Sequence, residues 1–401
     1  MHSDIRISDY TYTLPDERVA KYPLAERDSS RLLICKDHVI TDDKFSSIVD
    51  YLPDSSHIIF NNTKVVPARL LFRKDTGALI EIFCLEPVSP ADYARSFASL
   101  SSCRWRVIIG NAKRWKSGKL SINTSQFVLY AELIEKETNS YIVEFSWSNN
   151  RTFSEVIDVC GKIPIPPYLN RDTESIDYER YQTLYAKYRG SVAAPTAGLH
   201  FTDEVLGRLK IRGISADNIC LHVGAGTFIP VKEDNISSHR MHSEPFSVTQ
   251  EFIRRIIDYK SSGEQIIAVG TTTVRTLESL YYLGLQCDND TNDGFKLEAV
   301  SQWDPYDGKE DIGTVEAISK LLYYMERRNL DTIEVKTSII IVPSFKFRLT
   351  DIMVTNFHQP QSTLLLLVAA FIGEDWRKVY EYALQKEFRF LSYGDSSLLT
   401  Q

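Results

Sequence analysis

The chain has 401 residues, 43% of them hydrophobic and 25% charged, with a formal net charge of −7. That length supports two or three domains with real cores, and the acidic balance excludes a protein that coats nucleic acid by bulk attraction while leaving room for a local basic face. The first 22 residues lack a signal-peptide pattern, the longest apolar run (Leu364 to Ile372) is too short to cross a bilayer, and six widely spaced cysteines with no C-x-x-C pair fit reduced thiols. A cytoplasmic protein without a membrane span is expected.

In chain order, Leu32 to Cys35 reads as a first strand, Lys44 to Leu52 has helical spacing, and His57 to Phe60 is a second strand running into Asn61-Asn62-Thr63-Lys64. That ending suits either a ligand or a plain Asx turn. Short alternating segments follow at Arg69–Arg73, Leu79–Leu85, Arg104–Ile109, Phe127–Leu133 and Tyr141–Phe145, separated by turn signals. They predict a small all-β barrel over 68–149, inserted into an α/β domain made of 1–67 and 150–401. Thr152-Phe153-Ser154-Glu155 is a capping box for a helix closing at Gly161. A proline-rich connector occupies 162–169, and tyrosines 178, 181, 185 and 188 then recur at helical spacing, a stripe that reads as core packing.

The uncharged stretch from Ser191 to Leu199 leads to Thr202, an N-cap followed by Asp203 and Glu204. Its small residues let a ligand approach the backbone, although a buried strand-to-helix crossover explains them equally. From there strand, loop and helix alternate. Strands are expected at Ile219–Val223, Gln265–Val269, Thr337–Val342 and Ile352–Thr355. Helices are expected after Thr249, from Gly270 through Leu283, at Leu364–Ile372 and at Trp376–Gln385, with Tyr393-Gly394-Asp395 closing the chain. This is the pattern of an α/β main domain with a mixed sheet. Residues 285–312, rich in Asn, Asp and Gly, read as a polar surface insertion.

Three loops carry chemistry. Gly270-Thr271-Thr272-Thr273, after a strand and before a helix, gathers N–H groups and hydroxyls beside Arg275, which suits an anionic or polar ligand. Leu221 to Phe228 contains His222, Gly224, Gly226 and Thr227 in a turn that fails the dinucleotide fingerprint at Ile229 but lets Phe228 stack on a flat ring. His239-Arg240-Met241-His242-Ser243-Glu244 offers His242 and Glu244 for acid–base work, with too few neighbours for zinc. In the predicted barrel, Arg104 to Lys119 holds six basic residues and no acidic ones. Arg104, Arg106, Lys113, Arg114 and Lys116, interleaved with Trp115, fit a phosphate backbone and an exposed base, or a barrel edge guarded by charge.

Taken together, Tyr12-Thr13-Leu14-Pro15, Arg27-Asp28-Ser29-Ser30-Arg31, Asn61 to Arg69, Gly161 to Tyr168, Gly190 to Thr202, Leu221 to Pro230, His239 to Glu244, Gly270 to Ser279, Thr355-Asn356-Phe357-His358 and Ser392-Tyr393-Gly394-Asp395 resemble the S-adenosylmethionine:tRNA ribosyltransferase-isomerases. The resemblance implies a queuosine-pathway enzyme that moves the ribosyl part of S-adenosylmethionine onto 7-aminomethyl-7-deazaguanine at the wobble position of tRNA. The product is epoxyqueuosine, with adenine and methionine released. S-adenosylmethionine is then a cosubstrate, tRNA the partner, and no prosthetic group or metal is implied; a monomer is expected. A sulfonium acidifies its neighbouring C5′ protons, so a positioned base can start adenine loss, and His200, His222, His242 and Glu244 are the candidates. Arg69, Thr271, Thr272 and Arg275 suit a carboxylate, phosphate or ribose, Asn356 and His358 base or sugar edges, and Asp395 the aminomethyl cation or a helix cap. Thr196, Gly198 and Gly224 complete the expected wall of the pocket.

Three features depart from the family pattern. Gln361 stands where lysine is usual, Pro343-Ser344 replaces a Pro-Gly turn, and the connector from 284 to 337 is long. A divergent paralogue that uses S-adenosylmethionine on another nucleic-acid or nucleobase acceptor is therefore the alternative.

Overall fold

The structure, a computed structural model, describes residues 5–74, 76–224, 233–289, 295–308 and 311–401. Its organising element is a nine-stranded mixed sheet. Across it run Thr332–Thr337, Glu244–Thr249, Ser215–Leu221, Ser56–Asn61, Gln265–Val269, Ile352–Asn356, Ser396–Thr400, Arg31–Lys36 and Val39–Lys44. The four strands from Ser215–Leu221 to Ile352–Asn356 are mutually parallel. Their near-continuous apolar runs are buried on both faces, as in Gln265–Val269 and Ile352–Asn356. Glu244–Thr249 and Ser396–Thr400 run antiparallel to their neighbours in this group. The carboxyl ends of four strands and the amino ends of two therefore meet at one edge. In an open α/β sheet that edge is where ligands bind.

The second unit is a seven-stranded antiparallel sheet that curls as a half-barrel, drawn from residues 69–162. Its concave face packs Trp105, Trp115, Phe145 and Phe153 into one core. Phe153 comes from the helix Phe153–Cys160, whose N-terminus is the capping box read from the sequence: Thr152 and Glu155 satisfy each other's backbone N–H.

Several expected elements change. Helix Ser175–Arg180 stops before Tyr181, and Tyr188 belongs to the strand Tyr188–Ser191. The tyrosine stripe breaks because the Gln182 amide pairs with the Val65 backbone N–H and C=O, drawing the chain into extended form. The expected strand Thr337–Val342 ends where it was to begin, at Thr337. The next residues turn to residues 300–302, with Ser338 N–H donating to Val300 O and Ile340 N–H to Gln302 O. The chain does not close at Asp395: Ser396–Thr400 follows as an interior strand. Helices Tyr93–Phe97 and Thr314–Arg327, and the strand Leu120–Asn123, were not expected. The insertion is more than polar surface, since Val300 is fully buried and bridges Thr337.

Candidate active site

A cavity opens at the sheet edge where those strand ends meet. Its wall is Ala193–Ala197, and its other sides are Gly270–Thr272, Thr355–Leu364 and Leu391–Ser392, with His239, Met241, His242, Glu244 and Arg275 facing them. Gly270 has φ 89°, a left-handed value that glycine adopts without strain. It turns the chain from strand into the sixteen-residue helix Thr271–Gln286. The N–H groups of Thr271 and Thr272 have no partner among the described residues, so the positive end of a long helix faces the cavity.

Glu244 and Arg275 form a buried ion pair between Oε2 and Nη1, with side chains 4% and 8% exposed. Oε1 of Glu244 accepts the N–H of Gly224 at 3.0 Å. Arg275 also donates from Nε to Ile339 O at 3.2 Å, while its buried Nη2 has no partner among the described residues. The carboxylate is thus fixed at the wall with its charge compensated, a pre-set hydrogen-bond acceptor. His242 is exposed at the rim. His239 and Met241 are held by Gln302, whose Oε1 accepts Met241 N–H at 2.9 Å and whose Nε2 donates to His239 O at 2.8 Å. His358 is buried with Nε2 2.9 Å from Thr355 Oγ1, and burial lowers its pKa to about 4.

Of the residues read from the sequence, Thr196, His242, Glu244, Thr271, Thr272, Arg275, Asn356 and His358 line this cavity. Gly226, Thr227 and Phe228 lie outside the described residues. The others stand elsewhere. His200 turns away to place Nδ1 2.7 Å from Ser30 Oγ, its ring against Phe45. Its Nε2 and the Asn356 Oδ1 are each buried without a hydrogen-bond partner among the described residues. Burial lowers the His200 pKa to about 4, with Asn356 opposing the shift. Contrary to expectation, its side chain lines not this cavity but a small neighbouring cleft, together with Ser30 and Ser392.

His222 is likewise turned from the cavity, half-buried and stacked on Tyr93 at 4.5 Å with its Nδ1 3.1 Å from Thr63 Oγ1, and desolvation lowers its pKa to about 4. Gly224 acts through its N–H on Glu244. A side chain at Gly198 would lie 1.9 Å from the Tyr185 hydroxyl, so this glycine serves packing with Tyr185 instead of ligand approach. Arg69 pairs with Glu81 beside a separate hollow under the proline-rich connector. Asp395 accepts the N–H groups of Arg31 and Arg389 at 3.0 and 2.8 Å, fastening the chain before the last strand. Asn61 is also fully used by protein partners: Oδ1 takes the N–H of Thr63 and Leu221, and Nδ2 donates to Leu221 O.

The basic run divides in two. Arg104 pairs with Glu144, and Arg106 with Glu137 and Glu86. Trp115 is 3% exposed in the half-barrel core and donates from Nε1 to Gly118 O at 2.9 Å, so it has no face for a base. Lys113, Arg114 and Lys116 remain exposed on the turn. Residues given no site role from the sequence include Tyr168, Tyr181 (read as core packing), His239, Gln359 and Ser392, all on the cavity. Tyr168 and Ser392 sit at the ends of quoted motifs, and their hydroxyls hydrogen-bond each other.

A family model described as queuosine biosynthesis protein matches residues 7–399. A Trichlorobacter lovleyi protein named S-adenosylmethionine:tRNA ribosyltransferase-isomerase is 37% identical over 397 residues, covering 98% of this chain and 99% of its own. A Thermoanaerobacter protein of the same name is 38% identical over 402 residues, with 98% and 99% covered. A solved S-adenosylmethionine tRNA ribosyltransferase from Thermotoga maritima is 28% identical with a TM-score of 0.47, covering 98% of this chain and 99% of that one.

Proposed function

The chain belongs to the queuosine biosynthesis protein family of S-adenosylmethionine:tRNA ribosyltransferase-isomerases, and from that premise we propose how its residues divide the work. The reaction transfers and isomerises the ribosyl moiety of S-adenosylmethionine onto 7-aminomethyl-7-deazaguanine in tRNA, giving epoxyqueuosine and releasing adenine and methionine. The observation that carries the assignment is the convergence of three loops on one cavity: 193–197, 239–244 and 270–275.

The helix N-terminus at Thr271 and Thr272 holds an anionic group of a substrate, for which the methionine carboxylate is the natural occupant. Glu244, steadied by Arg275 and the Gly224 N–H, accepts hydrogen bonds from ribose hydroxyls or the aminomethyl cation. His242 is the base of choice, because it stands on the cavity with a solvent path for the proton. His200, held by Ser30 outside this cavity, supports the site and is not its base. Lys113, Arg114 and Lys116 offer the half-barrel's charge to tRNA. Residues 68–149, with 150–162 packed against them, form a domain inserted into the catalytic one, and the enzyme acts as a cytoplasmic monomer.

Incubation with S-adenosylmethionine and tRNA bearing the deazaguanine should release adenine and add mass to the tRNA. Neither product would defeat the reading. His242→Ala should abolish adenine release while His200→Ala retains a fraction of it; the reverse order would reassign the base.

A further inference from the structure

Beside the main cavity is a small cleft with three guanidinium groups on its walls: Arg27, Arg180 and Arg389. All three side chains are partly buried, and all three are held by backbone carbonyls. Arg27 donates to Leu199 O at 3.0 Å and Glu179 O at 3.2 Å, Arg180 to Ala25 O at 2.9 Å and Leu24 O at 2.8 Å, and Arg389 to Tyr22 O. Among the described residues, none is ion-paired with a carboxylate. By contrast, the more deeply buried guanidinium groups of Arg171, Arg275 and Arg348 lie on Asp177, Glu244 and Asp311. Nη1 of Arg389 and Nε of Arg180 are buried with no partner among the described residues.

Like charges gathered in a partly dehydrated place, with no carboxylate in ion-pair contact and only Glu179 and Asp395 offsetting them from further off, destabilise the empty protein. Burial lowers the pKa of both Arg27 and Arg389, and Arg180 repels Arg27 further. The nearby carboxylate of Asp395 is occupied by two backbone N–H groups. A fold that holds three cations in this way has built a site for an oxyanion.

The position of the cleft says which one. Ser392 lines both the cleft and the main cavity, so an anion in the first is the immediate neighbour of a nucleoside in the second. The cleft volume is about 20 Å³, enough for one oxygen atom and far too little for a nucleotide. We propose that this cleft takes a backbone phosphate of the tRNA next to the nucleoside being modified, one non-bridging oxygen seated among Arg27, Arg180 and Arg389.

The inference rests on the functional reading above, and its test needs no turnover. Binding is measured for an anticodon stem-loop carrying the deazaguanine, and for versions with a neutral methylphosphonate on either side of that nucleoside. The wild-type protein should lose about tenfold in affinity at one of the two linkages. Arg180→Ala should bind the all-phosphate stem-loop about tenfold more weakly and ignore that methylphosphonate. Its log K against log salt slope should be shallower by about 0.7, the share of one single-strand phosphate. Affinity for S-adenosylmethionine alone should stay within about twofold, and Arg180→Lys should restore part of the loss. Wild-type indifference to both methylphosphonates overturns the proposal, whatever the variants do. A loss confined to S-adenosylmethionine also overturns it, by making the occupant a methionine carboxylate. Adenine release by the wild type is scored separately, so the family reaction and the cleft can fail independently.

Discussion

Replacing Arg275 by methionine tests the central electrostatic feature of the site. Methionine fills much of the arginine stem's volume, so the change removes charge more than packing. Glu244 is 4% exposed on its side chain and would lose its cation while staying in the wall. Breaking one half of a buried pair leaves an uncompensated charge and typically costs about 3–5 kcal/mol, whereas replacing both halves by uncharged groups is often nearly neutral. Arg275→Met should therefore destabilise the main sheet by about 3 kcal/mol or more, and Glu244→Gln with Arg275→Met should recover most of that. The assay is urea unfolding by far-UV circular dichroism, comparing midpoints at constant slope for the wild type, both single variants and the double. A loss below about 1 kcal/mol in Arg275→Met, or a double variant no more stable than it, would refute the reasoning.

His200, His222 and His358 are all held near pKa 4 by burial, below the usual 6.5, so the unfolded chain binds more protons than the folded one between those values. Their contribution is complete above pH 6.5 and is lost as pH falls toward 4, with a slope of about 1.4 kcal/mol per pH unit for each histidine. His222→Gln should flatten a plot of unfolding free energy against pH by one such increment, and an unchanged slope would count against a neutral buried imidazole. Trp115→Ala should cost about 3–5 kcal/mol of half-barrel stability in thermal or urea unfolding, while Arg114→Ala leaves stability unaltered and weakens tRNA binding. Equal stability of the two would return Trp115 to the surface. Thr152→Ala removes the capping box and should cost about 1 kcal/mol in the same measurement.

Features set by neighbours in the chain were the legible ones. Thr152, Thr202 and Thr249 each cap the expected helix through the side chain, because capping depends on three or four consecutive residues. The loop after Gln265–Val269 reaches the cavity for the same reason: a strand, a glycine and threonines dictate a turn into a helix. What could not be read was the direction of side chains at places where distant segments compete. His200 belongs to a motif beside the cavity, yet Ser30, from 170 residues earlier, draws its ring outward. Trp115 stands in a basic run, but the pleat of the half-barrel buries it. Helical spacing of tyrosines past 180 gives way to a pairing between Gln182 and Val65 that no local pattern announces.

The long connector shows the same principle acting on function. Its average polarity describes a surface loop, and exposed residues such as Ser301, Asp307 and Gly308 fit that description. Three anchors within it do not. Val300 is buried against Thr337, the Tyr306 hydroxyl bonds Ile340 O at 3.2 Å and accepts Val342 N–H at 3.0 Å, and the Gln302 amide holds the backbone of His239 and Met241. The segment 239–242 precedes the strand Glu244–Thr249 and has no strand partner among the described residues. Its grip on the cavity wall passes through Gln302 on one side and through Glu244 and Arg275 on the other. Arg275 is fixed in turn by Ile339 O, in the stretch that residues 300–302 draw away from the sheet. Connector and ion pair therefore form one support behind the rim that carries His242. Within the connector, Val300, Gln302 and Tyr306 are therefore the positions least free to vary.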